Sequence, residues 1–378
     1  MKTPYFYGVC FSLAMFILIN TTRSQVNLPD YLRQYYQYTD SAEMAIIDSS
    51  YAKASVYYVK AFEQNKKPFG IDIYNAGITE ALQNKNKESY NYLEQVVAKG
   101  YGIDNIEQND AFKTFITTEY GSKLKTFAKD YKPSYNVRYR EILDSLTEVD
   151  QFDRINSYSG EKKKIKDSID LRNVQYLEKL IQKYGFPSEF NVGLKNNSFK
   201  LLPGYIVMLH SMQHGSMGGF DKGYVDFKDY LNKALENGEI TNFQGFIYIA
   251  YSNLAYFDNV NYNIAIESYA LYKHYHDRKR RDFREMTEEE KNYLTEVGDS
   301  SILMTKWGYY KPDESNEEKI NNIFKMYCVE NLENLRKKVL FFRTENKFES
   351  KIEGAYNFMS WIYEEEYNEM IKDLISVE

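Results

Sequence analysis

Two histidines four residues apart are the strongest candidates for chemistry in this chain. His210 and His214 lie in a stretch predicted to be helical, so their side chains project from one face with Cβ atoms about 5–6 Å apart. This is the spacing of two metal ligands on a helix, and an imidazole oriented by a carboxylate is also a general base. Residue 211 is Ser rather than Glu, so the zinc-protease signature is missing, and we predict no metal and no cofactor.

The carboxylate that such a site needs is not adjacent to the histidines in the sequence. Asp258 is the acid that would complete the site, so the catalytic candidates are His214, His210 and Asp258. Asp221 and Asp226 in the following loop are further acidic candidates. The alternative is a structural role, in which His214 hydrogen-bonds a helix end and His210 is half-buried between helices. The sequence favours this structural role over a catalytic one.

Other catalytic and binding classes lack their motifs in this sequence. It contains no Gly-x-Ser-x-Gly elbow, no His-Glu-x-x-His pair, no paired cysteines and no dinucleotide fingerprint. The net charge of −6 argues against nucleic acid as a partner. Cys10 lies in the N-terminal apolar run, so a chain cleaved after that run keeps Cys328 alone and has no intramolecular disulfide.

The first 24 residues have the organisation of a secretory signal peptide. Lys2 provides a short positive start, residues 5–20 are almost entirely apolar, and Thr22-Arg23-Ser24 places small residues before Gln25. The apolar run is shorter than a membrane-spanning helix requires, and no stop-transfer pattern follows it. We therefore predict cleavage before Gln25, a periplasmic or secreted protein, and no stable membrane anchor after cleavage.

The rest of the chain has the composition and periodicity of a helical protein. It contains only 7 prolines in 378 residues, and its apolar residues recur at helical spacing rather than alternating. A first helical region, 28–65, is predicted to break at 39–41, where a polar residue can cap the next helix. Further helices are predicted over 135–150, 160–184 and 199–213.

Two more predicted helices, 71–82 and 88–98, form a pair that resembles a tetratricopeptide unit. Tyr74-Asn75-Ala76-Gly77 and Ser89-Tyr90-Asn91-Tyr92-Leu93 echo the small-aromatic pattern of that repeat. An upstream helix, 51–58, is similar to the second half of a preceding unit. The resemblance implies antiparallel hairpins that stack and offer a concave surface to a peptide or protein.

Residues 167–258 carry a second resemblance. In order, they contain a helix with Asp170, a Gly185-Phe186-Pro187 turn, and a helix ending in Gln213-His214. This pattern resembles an uncharacterised helical domain family of Bacteroidetes-type bacteria. The family pattern continues with an Asp-Arg pair, whereas Phe257-Asp258-Asn259 supplies the acid without the arginine. The family has no established activity, so the resemblance implies a helical fold and no particular reaction.

The fold class predicted from these patterns is all-α, with tetratricopeptide-like antiparallel hairpins followed by a helical bundle. Helices are predicted over 264–275 and, as a closing pair, over 321–342 and 352–375, and no run favours strands. The predicted divisions are a signal peptide (1–24), a helical-hairpin domain (25–158), a central helical domain (159–276) and a C-terminal helical segment (277–378).

The function predicted from these features is that of an exported scaffold that binds a protein or peptide in a helical groove. The alternative is an enzyme or small-ligand binder with a polar site around His214. The two hypotheses make different geometric demands. The scaffold requires stacked hairpins that form a groove, whereas the polar site requires His214, with Asp258 or His210, to converge in one cleft with perturbed titration.

Overall fold

Helices that pack in sequential pairs build most of this chain. The computed structural model describes residues 27–152, 160–194, 199, 203–214, 219–246, 267–270, 304–310, 318, 321–322, 324–344, 347–351, 357–358 and 374–376. The α-helices whose bounds the structure gives are α1 (Asp30–Ile47), α2 (Tyr51–Gln64), α3 (Gly70–Ala81), α4 (Asn86–Ala98), α5 (Ile103–Gln108), α6 (Glu119–Asp130), α7 (Val137–Gln151), α8 (Gly160–Tyr184), α9 (Glu189–Val192), α10 (Tyr205–His214), α11 (Lys228–Glu236) and α12 (Leu332–Thr344). Within this part, no helix combines the length and apolar character needed to cross a membrane.

The predicted hairpins are present, and the all-α fold class is confirmed for the packed core. α1 packs against α2, and α3 packs against α4. The close approach of α3 and α4 depends on Gly77, because a Cβ atom at this position would lie 3.1 Å from Leu93 Cδ2. Ser89 Oγ adds a 2.9 Å hydrogen bond to the Gly77 carbonyl oxygen. A tetratricopeptide-like arrangement of these pairs stays a prediction.

The predicted helix break at 39–41 is wrong. α1 continues to Ile47, because Thr39 is buried in the helix and its hydroxyl donates to the Tyr36 carbonyl oxygen. The chain turns instead after Asp48, where Ser49 has a φ of 53°. Asp40, one of the polar residues at the predicted break, instead lies within α1 and pairs with the distant Lys338.

Helix α3 is the centre of the core, and all twelve of its residues are buried. Its first amide is capped from outside the helix, since Gly70 N–H donates to Glu189 Oε1 at 2.8 Å. The amide of Phe69 donates to the Tyr35 hydroxyl at 3.1 Å. Burial of the polar residues Asp72 and Asn75 in this helix requires partners from other parts of the chain.

One continuous hydrophobic cluster spans both predicted helical domains. It extends from Leu28 through Leu235 and Ile240 and includes Phe342 and Phe348. Residues 153–159, which contain the predicted boundary after 158, lie outside the described part. The division at that point therefore stays a prediction.

A small sheet accompanies the helices and was not predicted. Its strands are β1 (Glu267–Ala270), β2 (Met304–Tyr310), β3 (Asn357–Phe358) and β4 (Leu374–Ser376), in the order β3-β1-β2-β4. β2 runs antiparallel to β1 and β4, and β1 runs parallel to β3.

The sequence predicted helices where the structure has these strands. The helix predicted over 264–275 is wrong at β1, and the helix predicted over 352–375 is wrong at β3 and β4. The C-terminal segment 277–378 is therefore only partly helical. Pairing between segments far apart in sequence overrides local helical spacing there.

Candidate functional site

Helix α10 carries both predicted histidines, and each lies beside a buried carboxylate from another helix. His210 Nδ1 is 2.8 Å from Asp150 Oδ2 in the last turn of α7. His214 Nε2 is 3.8 Å from Asp170 Oδ2 on α8. Both aspartates are buried, whereas the His214 side chain is 34% exposed and that of His210 is 12% exposed. We call these four residues the histidine–aspartate site.

Two further donors stabilise the buried carboxylates. Lys166 Nζ donates to the backbone carbonyl oxygen of Asp150 and lies 3.5 Å from Asp170 Oδ1. Gln151 Nε2 donates to Asp150 Oδ2 at 2.7 Å. Burial of a carboxylate is unfavourable unless it is paired and hydrogen-bonded, so these contacts account for two acids in the interior.

Contacts with the segment before α11 fix the rotation of α10 about its axis. Ser211 Oγ donates to the Val225 carbonyl oxygen at 2.7 Å and accepts from the Val225 amide at 3.0 Å. The His214 ring stacks on Tyr224 with the ring centroids 4.9 Å apart. The helix is therefore anchored to the segment that precedes α11, with both histidines turned towards α7 and α8.

His214 lies beside an acidic side chain, but that acid is Asp170 rather than one of the predicted acids, and the polar site at His214 stays a prediction. Asp258 lies outside the described residues. Asp221 and Asp226 are exposed, and the carboxylates beside the histidines belong to Asp150 and Asp170.

A sequence signal for these two acids existed in the apolar stripes of their helices. In α7, Asp150 follows Tyr139, Leu143 and Leu146 at helical spacing, and all four residues are buried. In α8, Asp170 lies on the buried stripe that continues with Val174 and Leu177. An acid in register with an apolar stripe predicts a buried carboxylate that needs a partner.

A second site lies along α3, where a short segment of the same chain without helix or strand structure is bound through its backbone. Asn75 Nδ2 donates to the Glu349 carbonyl oxygen at 2.8 Å, and Glu349 N–H donates to Asn75 Oδ1 at 2.9 Å. Asn109 Nδ2 donates to the Lys347 carbonyl oxygen at 2.7 Å. We call residues 347–351 the inserted segment and the surface that holds it the α3 groove. The groove therefore holds the inserted segment through main-chain groups of Lys347 and Glu349.

Two side chains of the inserted segment occupy their own pockets. Phe348 is buried and contacts the ring of Tyr51 on α2 and that of Phe342 on α12. Lys351 Nζ lies 2.9 Å from Glu43 Oε1 and 2.7 Å from Asp72 Oδ1. Aromatic rings thus surround the phenylalanine of the sequence Phe-x-x-Lys, and two carboxylates bind its lysine.

The lysine pocket belongs to a buried ionic network. Lys338 on α12 lies 3.1 Å from Asp40 Oδ1, 2.7 Å from Glu43 Oε2 and 2.6 Å from Glu330 Oε1. Tyr35 donates its hydroxyl hydrogen to Asp72 Oδ2 at 2.5 Å. We call Asp40, Glu43, Asp72, Glu330, Lys338 and Lys351 the ionic network.

The ionic network holds four carboxyl groups against two ammonium groups, and its pKa values reflect this excess. Burial, with repulsion from Glu330, raises the pKa of Asp40 to about 8. Burial also raises the pKa of Asp72, against the attraction of Lys351. Burial would raise the pKa of Glu43 as well, but Lys338 and Lys351 hold it below its usual value. The network therefore retains protons on some of its carboxyl groups near neutral pH.

Three carboxylates of the network have the spacing of metal ligands, but a lysine already occupies their centre. Oxygen atoms of Asp40, Glu43 and Glu330 lie within 4.8 Å of one another. Lys338 Nζ is within 3.1 Å of all three, and the carboxylates hold its pKa well above the usual value although burial opposes its charge. This group is therefore an ammonium site.

Comparisons of the chain with known protein families, with characterised proteins and with solved structures find no match. The resemblances described for residues 51–98 and 167–258 therefore rest on their sequence patterns alone.

Proposed function

We propose that this chain is an exported interaction scaffold that binds an extended peptide of a partner protein in the α3 groove. The observation that carries the proposal is the pair of hydrogen bonds between the Asn75 side chain and the backbone of Glu349. A side-chain amide that bonds both the N–H and the C=O of one residue imitates the paired hydrogen bonds between neighbouring strands. Main-chain contacts of this kind provide affinity for extended peptides, and side-chain pockets provide specificity.

The partner peptide is defined by the pockets that the inserted segment occupies. Phe348 and Lys351 lie three positions apart, and both are held by side chains from the helical hairpins. The proposed ligand is therefore an extended peptide with an aromatic residue three positions before a lysine. Hairpins that offer a groove to a peptide are also what the tetratricopeptide resemblance implies.

The inserted segment competes with any such partner. A segment tethered to its own site has an effective concentration in the millimolar range, so a peptide added in solution binds poorly while the segment is in place. Partner binding therefore requires release of the segment from Asn75 and from the two pockets.

The first test uses a variant that releases the inserted segment. Phe348→Ala empties the aromatic pocket, and Glu349→Pro removes the amide hydrogen that is donated to Asn75. We expect a fluorescent peptide of residues 343–355 to bind this double variant at least about tenfold more tightly than the unaltered chain, since the tethered competitor is weakened. Fluorescence anisotropy measures both affinities.

Matched variants show whether the peptide occupies the α3 groove. Asn75→Ala in the release variant should weaken peptide binding about tenfold, because each lost hydrogen bond leaves a buried main-chain group without its partner. Asn91→Ala, at an exposed position on α4, should leave binding unchanged. Glu349→Ala keeps the backbone amide, so it should not release the segment. Absence of binding to a release variant that retains its helical circular dichroism would refute the proposed function.

Export is the second part of the proposal, and the N-terminal pattern supports it. Protein recovered from the extracytoplasmic fraction of its native host should begin at or near Gln25 when its N-terminus is sequenced. A mature protein that still begins with Met1 would contradict both the cleavage and the periplasmic or secreted location.

A further inference from the structure

The lysine pocket of the α3 groove is formed by two carboxylates, and each directs one oxygen atom at Lys351. Lys351 Nζ lies 2.9 Å from Glu43 Oε1 on α1 and 2.7 Å from Asp72 Oδ1 on α3. The pocket is closed to solvent, because the side chains of Lys351, Glu43 and Asp72 are only 8%, 4% and 0% exposed. A polar side chain in this pocket must therefore find its partners within the protein.

The second oxygen atom of Glu43 is held by another lysine. Lys338 Nζ lies 2.7 Å from Glu43 Oε2. Lys338 is itself fixed by Asp40 at 3.1 Å and by Glu330 at 2.6 Å. Glu43 therefore presents Oε1 to the lysine pocket while Oε2 remains with Lys338.

The second oxygen atom of Asp72 is held by a tyrosine. The Tyr35 hydroxyl donates to Asp72 Oδ2 at 2.5 Å. The same hydroxyl accepts a hydrogen bond from the Phe69 amide at 3.1 Å, which orients its hydrogen towards Asp72. Asp72 therefore presents Oδ1 to the pocket while Oδ2 remains with Tyr35.

Two single oxygen atoms from different acids fit an ammonium group better than a guanidinium group. An ammonium group is compact and rotates its N–H groups towards separate acceptors, whereas a guanidinium group carries five N–H groups in a planar fork. The fork pairs best with both oxygen atoms of one carboxylate. Lys338 and Tyr35 hold the second oxygen atoms of Glu43 and Asp72, so an arginine would bury donors that the closed pocket does not satisfy.

A neutral side chain fails in this pocket for a different reason. Burial opposes the charge of Lys351, but Asp72 and Glu43 hold its pKa above the usual value. The side chain is therefore bound as an ammonium ion. Its replacement by a neutral group leaves buried carboxylates without their cation, which is strongly unfavourable.

We propose that the lysine pocket selects the ammonium group of a lysine over arginine and over neutral side chains, with Tyr35 as the positioning residue that sets the choice between lysine and arginine. The inference rests on the proposed function where the lysine belongs to a partner peptide. The same selectivity applies to Lys351 of the chain itself, where it can be measured without a partner.

Replacement of Lys351 in the full chain is the test that needs no partner. Lys351→Arg should lower the urea midpoint of unfolding nearly as much as Lys351→Met, although arginine retains the positive charge. The control is Lys337→Arg, which alters an exposed ion pair and should leave the midpoint unchanged. A Lys351→Arg variant that unfolds at the same urea concentration as the unaltered chain would overturn the proposal.

Peptide binding repeats the test at the partner site. In the variant Phe348→Ala/Glu349→Pro, 343–355 peptides carrying Lys351→Arg or Lys351→Met should bind at least about tenfold more weakly than the unaltered peptide, because buried groups lose their partners. Equal affinity of all three peptides would overturn the selectivity. Absence of binding by all three would contradict the proposed function instead, and the urea midpoints of the Lys351 variants then decide the selectivity of the pocket.

The role of Tyr35 is tested by the ratio of two affinities. In the same variant, Tyr35→Phe frees Asp72 Oδ2 for the guanidinium fork, so the preference for the lysine peptide over the arginine peptide should fall at least about threefold. A merely structural loss would weaken both peptides equally and leave the ratio unchanged, which would exclude the positioning role. Tyr31→Phe, at an exposed position on α1, is the control and should not change the ratio.

Discussion

Replacement of Lys338 by methionine should lower the free energy of unfolding by about 3–5 kcal/mol. Lys338 is almost fully buried, and its ammonium group lies among Asp40, Glu43 and Glu330. Methionine retains most of the aliphatic stem, so the loss is chiefly that of the charge. Removal of one partner from a buried ion pair leaves uncompensated charge on the other, which explains the size of the effect.

The neighbouring lysine provides the control for this measurement. Lys337 lies on the same helix and pairs with Glu333, but both side chains are largely exposed. Lys337→Met should therefore change the urea midpoint little, since exposed pairs contribute little to stability. If the two variants unfold at the same urea concentration, the ionic network does not stabilise the fold in the way described above. Equal m-values would show that the comparison concerns stability rather than compactness.

Local periodicity was sufficient to predict the helical hairpins. The α3–α4 pair follows from apolar residues at helical spacing and from a glycine where the two helices meet, and Gly77 occupies that position against Leu93. The local pattern at residues 39–41, however, predicted a helix break that the structure does not have. Polar residues in the middle of α1 looked like a cap, but Thr39 and Asp40 are partnered within the core. A local pattern cannot distinguish a cap from a polar residue whose partner lies 298 positions away.

The candidate sites were predictable only in part, for the same reason. The spacing of His210 and His214 indicated a shared face, but Asp150 and Asp170 reach it from two other helices. In the α3 groove, Asn75 and its partner Glu349 are separated by 274 positions. Pairings of this kind depend on tertiary packing, which also explains why the sheet around β2 was missed.

Stability of the fold should fall as the pH rises from 5 to 8.5, because the ionic network holds more carboxyl groups than ammonium groups. Burial raises the pKa of Asp40 to about 8 and also raises that of Asp72. The folded chain then retains protons that the unfolded chain releases, so this contribution is complete below about pH 4 and is lost as the pH rises through 8. The lowered pKa of Glu43 has the opposite sign, but its contribution is lost only in more acidic solution than the range tested.

Asp40→Asn should remove much of this pH dependence. Asparagine has the shape of the protonated acid and cannot ionise, so the variant should gain stability over the unaltered chain between pH 5 and 8.5 by about 1 kcal/mol or more. Partial exposure of the Asp40 side chain keeps the effect below that of a fully buried acid. Urea unfolding at several pH values measures the difference, with Asp104→Asn at an exposed position as the control. Parallel pH curves for Asp40→Asn and the unaltered chain would show that Asp40 is ionised in the folded state throughout. In that case the excess negative charge of the network must be balanced by protons on another of its carboxyl groups, and Asp72→Asn becomes the variant that should flatten the curve.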